Sequence, residues 1–277
     1  MKGEYPVQQL CAMLDYPRSS YYARPQGKQP ATGLVDAVEA ILMRWPFYGY
    51  RRVLAQLKRQ GLPVGERAVR SVLHWLGSTR QVGRLRVATT DSNHPHPRYP
   101  NRIRGLKLTA PDQVWVGDIT YIRLGRRFIY LAVILDAFTR AVRGWALSRS
   151  LEQSLTVEAL KRALTKAVPF IFHSDQGSQY AAFAHTSLLL EAGVKISMAD
   201  KASPTQNALA ERFIRTVKEE QVDYADYRDF DDAYQQLKHW LEVEYMTERV
   251  HSSLHYLTPA EFEAAALARL NPLLSSG

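Results

Sequence analysis

The chain has 277 residues, of which 46% are hydrophobic and 10% aromatic, which predicts one large or two small globular domains. Its single cysteine, Cys11, excludes an intrachain disulfide and a zinc site built from several thiolates, and it suits a reducing cytoplasm. Because the N-terminus has no apolar signal segment and the longest apolar run is too short for a bilayer, we expect a cytoplasmic protein without membrane contact.

The charge is unevenly distributed along the chain. The net charge is +9, but residues 1–218 carry 32 basic against 15 acidic residues (+17), whereas residues 219–263 carry 3 against 12 (−9). A long basic region favours a polyanionic partner, and nucleic acid is the natural one. The alternative is an ordinary solvated basic surface beside an acidic pair of helices.

Helical periodicity predicts four helices in the N-terminal region. They span residues 7–14, 34–45, 51–58 and 66–76. A turn from Gly61 to Gly65 separates the last two helices, which is the outline of a helix-turn-helix. Arg67 and Arg70 fall on the outer face of the last helix, where they are candidates for contacts with a DNA duplex. A plain helical hairpin with solvated arginines remains the alternative.

Residues 80–110 show no sustained periodicity. They contain seven basic residues, a single acidic one, and prolines at positions 95, 97 and 100. We interpret this stretch as a basic, semi-extended linker, with a simple solvated tether as the alternative.

The pattern changes to strands near residue 113. Apolar, β-branched runs predict strands at 114–122, 128–135, 141–147, 170–172 and 194–197. Helical patterns lie between and after them at 152–167, 182–192 and 207–218, and helical periodicity returns over residues 229–270. Three strands in hairpin order followed by alternating helices and strands predict an α/β fold with a mixed five-stranded sheet flanked by helices.

These patterns divide the chain into four predicted parts. They are a helix-turn-helix-like region at 1–79, a basic linker at 80–110, an α/β core at 111–225 and a C-terminal helical extension at 226–277.

Three carboxylates stand out in the predicted core. Asp118 interrupts an apolar strand, Asp175 follows the fourth strand, and Glu211 lies on a helix. If the first and fourth strands are neighbours, the three side chains can converge, and a set of oxygen ligands without His or Cys suits Mg²⁺ or Mn²⁺. The pattern alone leaves open the alternative that these acids are solvated, with Asp118 in a salt bridge at a strand edge.

The spacing and flanking residues of these acids resemble a known family. Positions 119–174 separate Asp118 from Asp175, the thirty-five positions 176–210 separate Asp175 from Glu211, and Lys218 follows seven positions after Glu211. The chain is similar to DDE transposases and retroviral-type integrases, and most similar to the orfB-type transposases of bacterial insertion sequences. The matching segments are 115–122, 173–180, 251–254 with 258–259, and, in the N-terminal region, 5–11 and 48–52. The resemblance therefore covers nearly the whole chain.

The resemblance implies an RNase H-like catalytic core in which Asp118, Asp175 and Glu211 are both catalytic and metal-binding. It implies two Mg²⁺ ions, for which Mn²⁺ can substitute, a nick at the 3′ end of the element, and direct attack of the freed 3′-OH on another phosphodiester. The positions expected to bind DNA are Arg51, Arg52, Arg67, Arg70, Lys201, Asn207, Arg215 and Lys218.

The implied partners are the terminal repeats of the element and the target DNA. We also expect a homo-oligomer on DNA, a nucleoid-associated location in a bacterial cytoplasm, and an upstream-frame protein or fusion that supplies a further helix-turn-helix and a coiled coil. Two alternatives remain for the function: an RNase H-like nuclease without strand transfer, and an inactive DNA-binding regulator. One departure from the family pattern lies beside the first acid, since Gly117 occupies a position where similar proteins often have threonine.

Overall fold

The computed structural model describes residues 7–13, 31–78, 97–200 and 207–270. Of the predicted site residues, only Lys201 lies outside these ranges. Within them, no helix has both the length and the apolar character needed to cross a membrane.

The N-terminal part is helical, as predicted. The helices are α1 (Val7–Met13), α2 (Thr32–Arg44), α3 (Tyr50–Arg59) and α4 (Glu66–Trp75). Apolar side chains of α2, α3 and α4 form one core, in which Val38, Leu57 and Val72 are fully buried. The turn between α3 and α4 contains Gly61 with a φ of 78°, a conformation that favours glycine. The helix-turn-helix outline therefore has a packed core of its own.

The sheet has five strands in the order β3-β2-β1-β4-β5. The strands are β1 (Val114–Leu124), β2 (Arg127–Asp136), β3 (Val142–Ser148), β4 (Ile171–Ser174) and β5 (Lys195–Met198). The first three are antiparallel neighbours, whereas β4 and β5 run parallel to β1. This confirms the predicted mixed sheet, and it makes the first and fourth strands neighbours.

Helices cover both faces of the sheet. Three of them pack on one face: α5 (Gln153–Leu164), α6 (Ser178–Ala181) and α7 (Phe183–Glu191). Helix α5 approaches β3 so closely that a Cβ atom at Gly144 would lie 2.2 Å from the Ala159 carbonyl oxygen. The sequence predicted a single helix over 182–192 and missed α6, which a residue in extended conformation, Ala182, separates from α7.

The opposite face is covered by α8 (Ala208–Glu220), α9 (Phe230–His239) and a π-helix (Trp240–Glu248). Short 3₁₀ turns lie at Val222–Tyr224 and Ser252–Leu254, and α10 (Pro259–Leu270) ends the described chain. The predicted return to helix after residue 229 is confirmed. Its π-helical part was not foreseen, because a pattern search with a 3.6-residue period cannot distinguish the two helix types.

The N-terminal helices contact the C-terminal segment. Val250 is buried in their core, and an Arg59 guanidinium nitrogen lies 2.5 Å from a carboxylate oxygen of Glu261. Residues before the sheet are also attached, since the backbone N–H of Arg102 donates to Ser197 Oγ on β5 at 2.9 Å. The four-part division of the chain stays a prediction.

Candidate active site

Asp118 lies on β1 and Asp175 follows directly after β4, at matching distances beyond the paired part of these two neighbouring parallel strands. The pairing of β1 with β4 aligns Val116 with His173, and each aspartate comes two residues after its member of that pair. Residues two apart on a strand point to the same side, and neighbouring strands are about 5 Å apart. The register therefore brings the two carboxylates together, although they are far apart in sequence.

Asp118 has few partners that stabilise its negative charge. Its Oδ1 accepts one hydrogen bond, from the backbone N–H of Ile119 at 2.8 Å. Burial, and after it the negative charges of Asp175 and Glu211, raise the pKa of Asp118 to about 8, against the Ile119 hydrogen bond and the attraction of Lys218. All three predicted acids thus act on one another electrostatically.

The loop after β4 holds the Asp175 carboxylate. Its Oδ1 accepts a hydrogen bond from the backbone N–H of Gly177 at 3.0 Å. A Cβ atom at Gly177 would lie 3.0 Å from that same oxygen, so a side chain there would crowd the carboxylate. Because the φ of Gly177 is −67°, glycine is needed at this position for space and not for an unusual backbone conformation.

Glu211 lies in the first turn of α8, and its side chain is exposed. Asn207, immediately before the helix, is 4% exposed, and its Nδ2 donates to the Gly117 carbonyl oxygen at 3.3 Å. This hydrogen bond ties the start of α8 to β1 beside Asp118. The burial of Asn207 supports a role in positioning Glu211 more than a direct contact with DNA.

Lys218 and Arg215 continue the side of α8 that carries Glu211, since they follow it by seven and four residues. The Lys218 ammonium lies 4.4 Å from the centre of the Tyr121 ring, and burial lowers the pKa of this lysine despite the attraction of Asp223 and Asp118. Arg215 is exposed. Two cations thus follow the glutamate along one side of the helix.

Aromatic side chains pack beneath the first carboxylate. A Cβ atom at Gly117 would lie 2.8 Å from Phe172 Cζ and 3.0 Å from Tyr180 Cε1. Burial, and after it the negative charges of Asp118 and Asp175, raise the pKa of Tyr180 well above its ordinary value. Its phenol therefore stays protonated. Sequence reasoning missed Tyr180, although its position five residues after Asp175 was in a segment already singled out.

The donor chemistry fits a hard divalent cation, although the carboxylates do not form a closed cage. Across the described residues, no three His, Cys, Asp or Glu side chains are close enough to hold one ion together. Mg²⁺ usually keeps several waters and binds through one or two carboxylates plus phosphate oxygens of the substrate. Asp118 and Asp175 are two carboxylates that could meet that requirement, and Glu211 is close enough to act electrostatically on Asp118.

The remaining predicted DNA contacts form a separate group on the N-terminal helices. Arg51 and Arg70 both stack on Tyr50, with their guanidinium carbons 5.3 and 3.9 Å from the ring centre, and Arg67 is exposed on α4. Arg52 differs from these three, because its guanidinium lies 2.9 Å from the buried Glu220 carboxylate. Its position offers no support for contact with a duplex on that surface.

Comparisons with known proteins identify the family of this chain. One integrase core domain family model matches residues 109–204, and a second matches residues 192–259. The transposase for insertion sequence element IS904 of Lactococcus lactis is 33% identical over 220 residues, which cover 78% of this chain and 87% of that protein. The IS600 uncharacterized 31 kDa protein of Shigella sonnei is 32% identical over 263 residues, which cover 91% of this chain and 97% of that protein.

Among solved structures, the HTLV-2 integrase catalytic core domain in complex with magnesium is similar to this chain, and the match covers 56% of this chain and 97% of that one. The TM-score is 0.45 and the identity is 18%. The assignment of an RNase H-like fold depends instead on the order and directions of the five strands and on the two family models.

Proposed function

The chain belongs to the insertion-sequence transposases with an integrase core domain, and we propose that Asp118, Asp175 and Glu211 form its catalytic, metal-binding site. The proposed reaction is a nick at the 3′ end of element DNA, followed by strand transfer in which the freed 3′-OH attacks another phosphodiester. In the nick, water attacks the phosphorus and the bond to the 3′ oxygen breaks, which leaves a 5′-phosphate and a free 3′-OH. In strand transfer, that 3′-OH attacks a target phosphodiester, its oxygen bonds to the phosphorus, and the 3′ oxygen of the target strand leaves and takes up a proton, so no covalent enzyme intermediate is needed.

One observation carries this proposal. Asp118 on β1 and Asp175 just after β4 each follow the paired residues Val116 and His173 by two positions, and the pKa of Asp118 is raised to about 8 by burial and by its two acidic neighbours. Acids in a purely structural role are normally paired with cations or surrounded by donors. A cluster of mutually repelling carboxylates indicates a site that is completed by a cation.

Mg²⁺, or Mn²⁺ in its place, would bind the three carboxylates and supply Lewis-acid stabilisation of the charge on the phosphate oxygens. The protein positions these ligands by three separate devices. The Gly177 N–H fixes Asp175, the Asn207 amide ties the start of α8 to β1, and strand pairing sets Asp118. We propose two ions, as expected for phosphoryl transfer in this family.

Arg215 and Lys218 are the proposed phosphate contacts near the site, together with Lys201. Arg51, Arg67 and Arg70 are the proposed contacts of the helix-turn-helix-like region at 1–79. The part at 80–110 is proposed as the linker, 111–225 as the catalytic core and 226–277 as the extension. A homo-oligomer on DNA, and an upstream-frame protein that adds end recognition, complete the proposal.

The test is an assay with a labelled duplex taken from the DNA that flanks this reading frame, with supercoiled plasmid as target. In Mg²⁺ we expect both a nicked strand and a joined product, and neither in EDTA. Nicking without joining, under conditions where a second end is present, would favour an RNase H-like nuclease. DNA binding without either product in Mg²⁺ or Mn²⁺ would favour an inactive regulator.

A further inference from the structure

A second charged site lies across α8 from the carboxylates. It is a cavity of about 400 Å³ between α8, the end of β2 and the segment after the π-helix. Four arginines line it, one each from α3, the β2–β3 loop, α8 and the residue after the π-helix: Arg52, Arg140, Arg212 and Arg249. We call this cavity the arginine pocket. Among the described residues, no aspartate or glutamate lines it.

The positive charge of the arginine pocket is only partly balanced. Glu220 pairs with both Arg52 and Arg249, at 2.9 Å from an Arg52 nitrogen and 2.6 Å from Arg249 Nη2. One carboxylate thus serves two largely buried guanidinium groups. Burial of an ion pair is tolerated when charges and hydrogen bonds are satisfied, and a second cation on one anion leaves an excess of positive charge.

Arg140 adds to that excess. Its Nη1 is buried and has no hydrogen-bond partner within the described part of the chain. Burial lowers the pKa of Arg140, although Tyr245 and then Asp136 act to raise it. An unpaired buried guanidinium nitrogen is costly, which indicates that something outside the described chain completes it.

The backbone holds Arg140 in a strained but fixed conformation. Its φ is 66°, a region that residues other than glycine rarely adopt. The Arg140 N–H donates to the Asp136 carbonyl at 3.0 Å, and its own carbonyl accepts from the Tyr245 hydroxyl at 3.1 Å. Strain that neighbouring hydrogen bonds maintain is typical of functional positions, and here it fixes an arginine at the wall of a cavity.

The other lining groups suit an anion. Arg212 is exposed at the mouth of the pocket, and the hydroxyls of Ser252 and Ser253 are available as donors. Burial, and after it the charges of Arg249, Arg52 and Arg140, lower the pKa of His251 to about 2. The imidazole therefore stays neutral and adds no positive charge of its own to the pocket.

The position of the arginine pocket indicates the source of its anion. Ala208, Arg212 and Thr216 line it at intervals of four residues along α8. Glu211 is one residue from Arg212 and so lies about 100° away around the helix axis. On the sheet, Leu135 lines the pocket two residues beyond Val133, the partner of Asp118, which puts it about 8 Å from Asp118 between Cα atoms.

We propose that the arginine pocket binds a phosphodiester of the DNA backbone close to the scissile bond. This proposal rests on the proposed function, because it takes the carboxylate site as the place of cleavage. Planar guanidinium groups bind phosphate oxygens through two parallel hydrogen bonds, so Arg140 and Arg212 together can hold one group firmly. Arg52 and Arg249, already paired with Glu220, provide the surrounding positive potential.

The test combines protein and DNA variants in EDTA, so that binding is measured without cleavage. Arg212→Gln is the main variant, because the exposed side chain can be removed without loss of the fold, and Arg140→Gln is the second. Lys161→Gln on α5 is the matched control, since it removes one exposed positive charge on the opposite face of the sheet. The DNA is a short duplex from the flanking end, with single phosphates replaced in turn by neutral methylphosphonates.

We expect one or two phosphates whose neutralisation weakens binding to the wild type by about tenfold, the effect of one charge-assisted hydrogen bond. The same substitutions should have little effect on Arg212→Gln, whereas Lys161→Gln should behave as the wild type. The slope of log affinity against log salt should fall by about 0.9 for each phosphate contact that is lost.

The proposal is wrong if every methylphosphonate weakens the wild type and Arg212→Gln by the same factor. A second result would overturn the assignment to DNA. In it, sodium sulfate raises the melting temperature of the wild type more than that of Arg212→Gln, but no methylphosphonate effect depends on Arg212. The pocket would then bind free anions. Asp118→Asn, run in parallel, should keep the coupling. In the separate assay with Mg²⁺, nicking by Asp118→Asn would overturn the proposed function but not the phosphate contact at the arginine pocket.

Discussion

Asp118 and Asp136 are both acidic residues on the central strands β1 and β2, yet their surroundings differ completely. Asp136 is fully buried, and its two oxygens accept from the N–H groups of Asp112, Phe138 and Thr139 and from the Thr139 hydroxyl, at 2.6 to 3.0 Å. The Arg143 guanidinium lies 3.8 Å away. Asp118 accepts a single backbone hydrogen bond and faces two other acids.

This difference separates an acid that stabilises the fold from the one proposed to bind metal. Donors that surround Asp136 offset the cost of burying its charge, and they order the loop that ends at Arg140. The surroundings of Asp118 leave that cost in place, as expected where a cation and substrate complete the site. Neither the residue type nor the apolar neighbours in sequence distinguish the two positions.

The largest expected effect is on activity. Asp118→Asn should lower nicking by at least about 10³-fold, because loss of a metal ligand removes several kcal/mol of transition-state stabilisation. Asp136→Asn protein that remains folded should retain nicking within about tenfold, since Asp136 lies outside the carboxylate site. Single-turnover rates on flanking-end duplex, compared at equal folded concentration, measure both. Equal losses in the two variants would remove the distinction between the two aspartates.

The order of the two variants should reverse when the free energy of unfolding is measured instead of activity. Asp136→Asn should lower the free energy of unfolding by about 3 kcal/mol, because an amide nitrogen would face donors in a buried, charged network. In EDTA, Asp118→Asn should raise it by about 1 kcal/mol, since the substitution relieves repulsion among three carboxylates. Urea unfolding followed by circular dichroism gives both values. Destabilisation of both variants to the same degree would mean that Asp118 also supports the fold.

The packed space around Gly117, next to Asp118, should tolerate little added side-chain volume. Gly117→Ala should cost about 2 kcal/mol, because its Cβ would meet the rings of Phe172 and Tyr180 at 2.8 and 3.0 Å. Gly33→Ala on α2 is the control, because no atom lies within 4 Å of its added Cβ, and it should not destabilise the protein. Thermal unfolding of the two variants makes the measurement. A harmless Gly117→Ala would show that the rings move aside freely.

The smallest expected effect is that of metal on the free protein. Mg²⁺ at about ten times its dissociation constant should stabilise the wild type by about 1 kcal/mol, and Asp118→Asn should lose this gain. Asp136→Asn, though less stable, should keep the same increment. Melting temperatures with and without Mg²⁺, at constant ionic strength, report the change. An increment that survives in Asp118→Asn would locate the bound ion elsewhere.

Much of the fold was predictable from the sequence, because strands β1 to β5 have clear apolar runs and their connections restrict the topology. The family spacing also selected Asp118, Asp175 and Glu211, although periodicity alone left the alternative of a salt bridge open. The sequence alone could not show that β1 and β4 are adjacent strands, and their parallel pairing is now observed.

Other features depend on contacts between distant residues and could not be read from local pattern. The Arg52–Glu220–Arg249 network joins the N-terminal helices to the C-terminal part of the chain. The resemblance of segment 48–52 to the family suggested Arg52 as a DNA contact, and local sequence could not show its pairing with Glu220. Similarly, the local sequence does not single out Asp136 or Arg140, and only their hydrogen bonds and the φ of Arg140 distinguish them.

The proposed function requires divalent cations bound at the site formed by Asp118, Asp175 and Glu211. Fe²⁺ substituted for Mg²⁺ generates hydroxyl radicals with ascorbate and peroxide, and these cleave the polypeptide next to the bound ion. We predict cuts near residues 118, 175 and 211 in the wild type, suppressed by excess Mg²⁺ and lost in Asp118→Asn. Cuts confined to other positions, or unchanged in Asp118→Asn, would contradict the account.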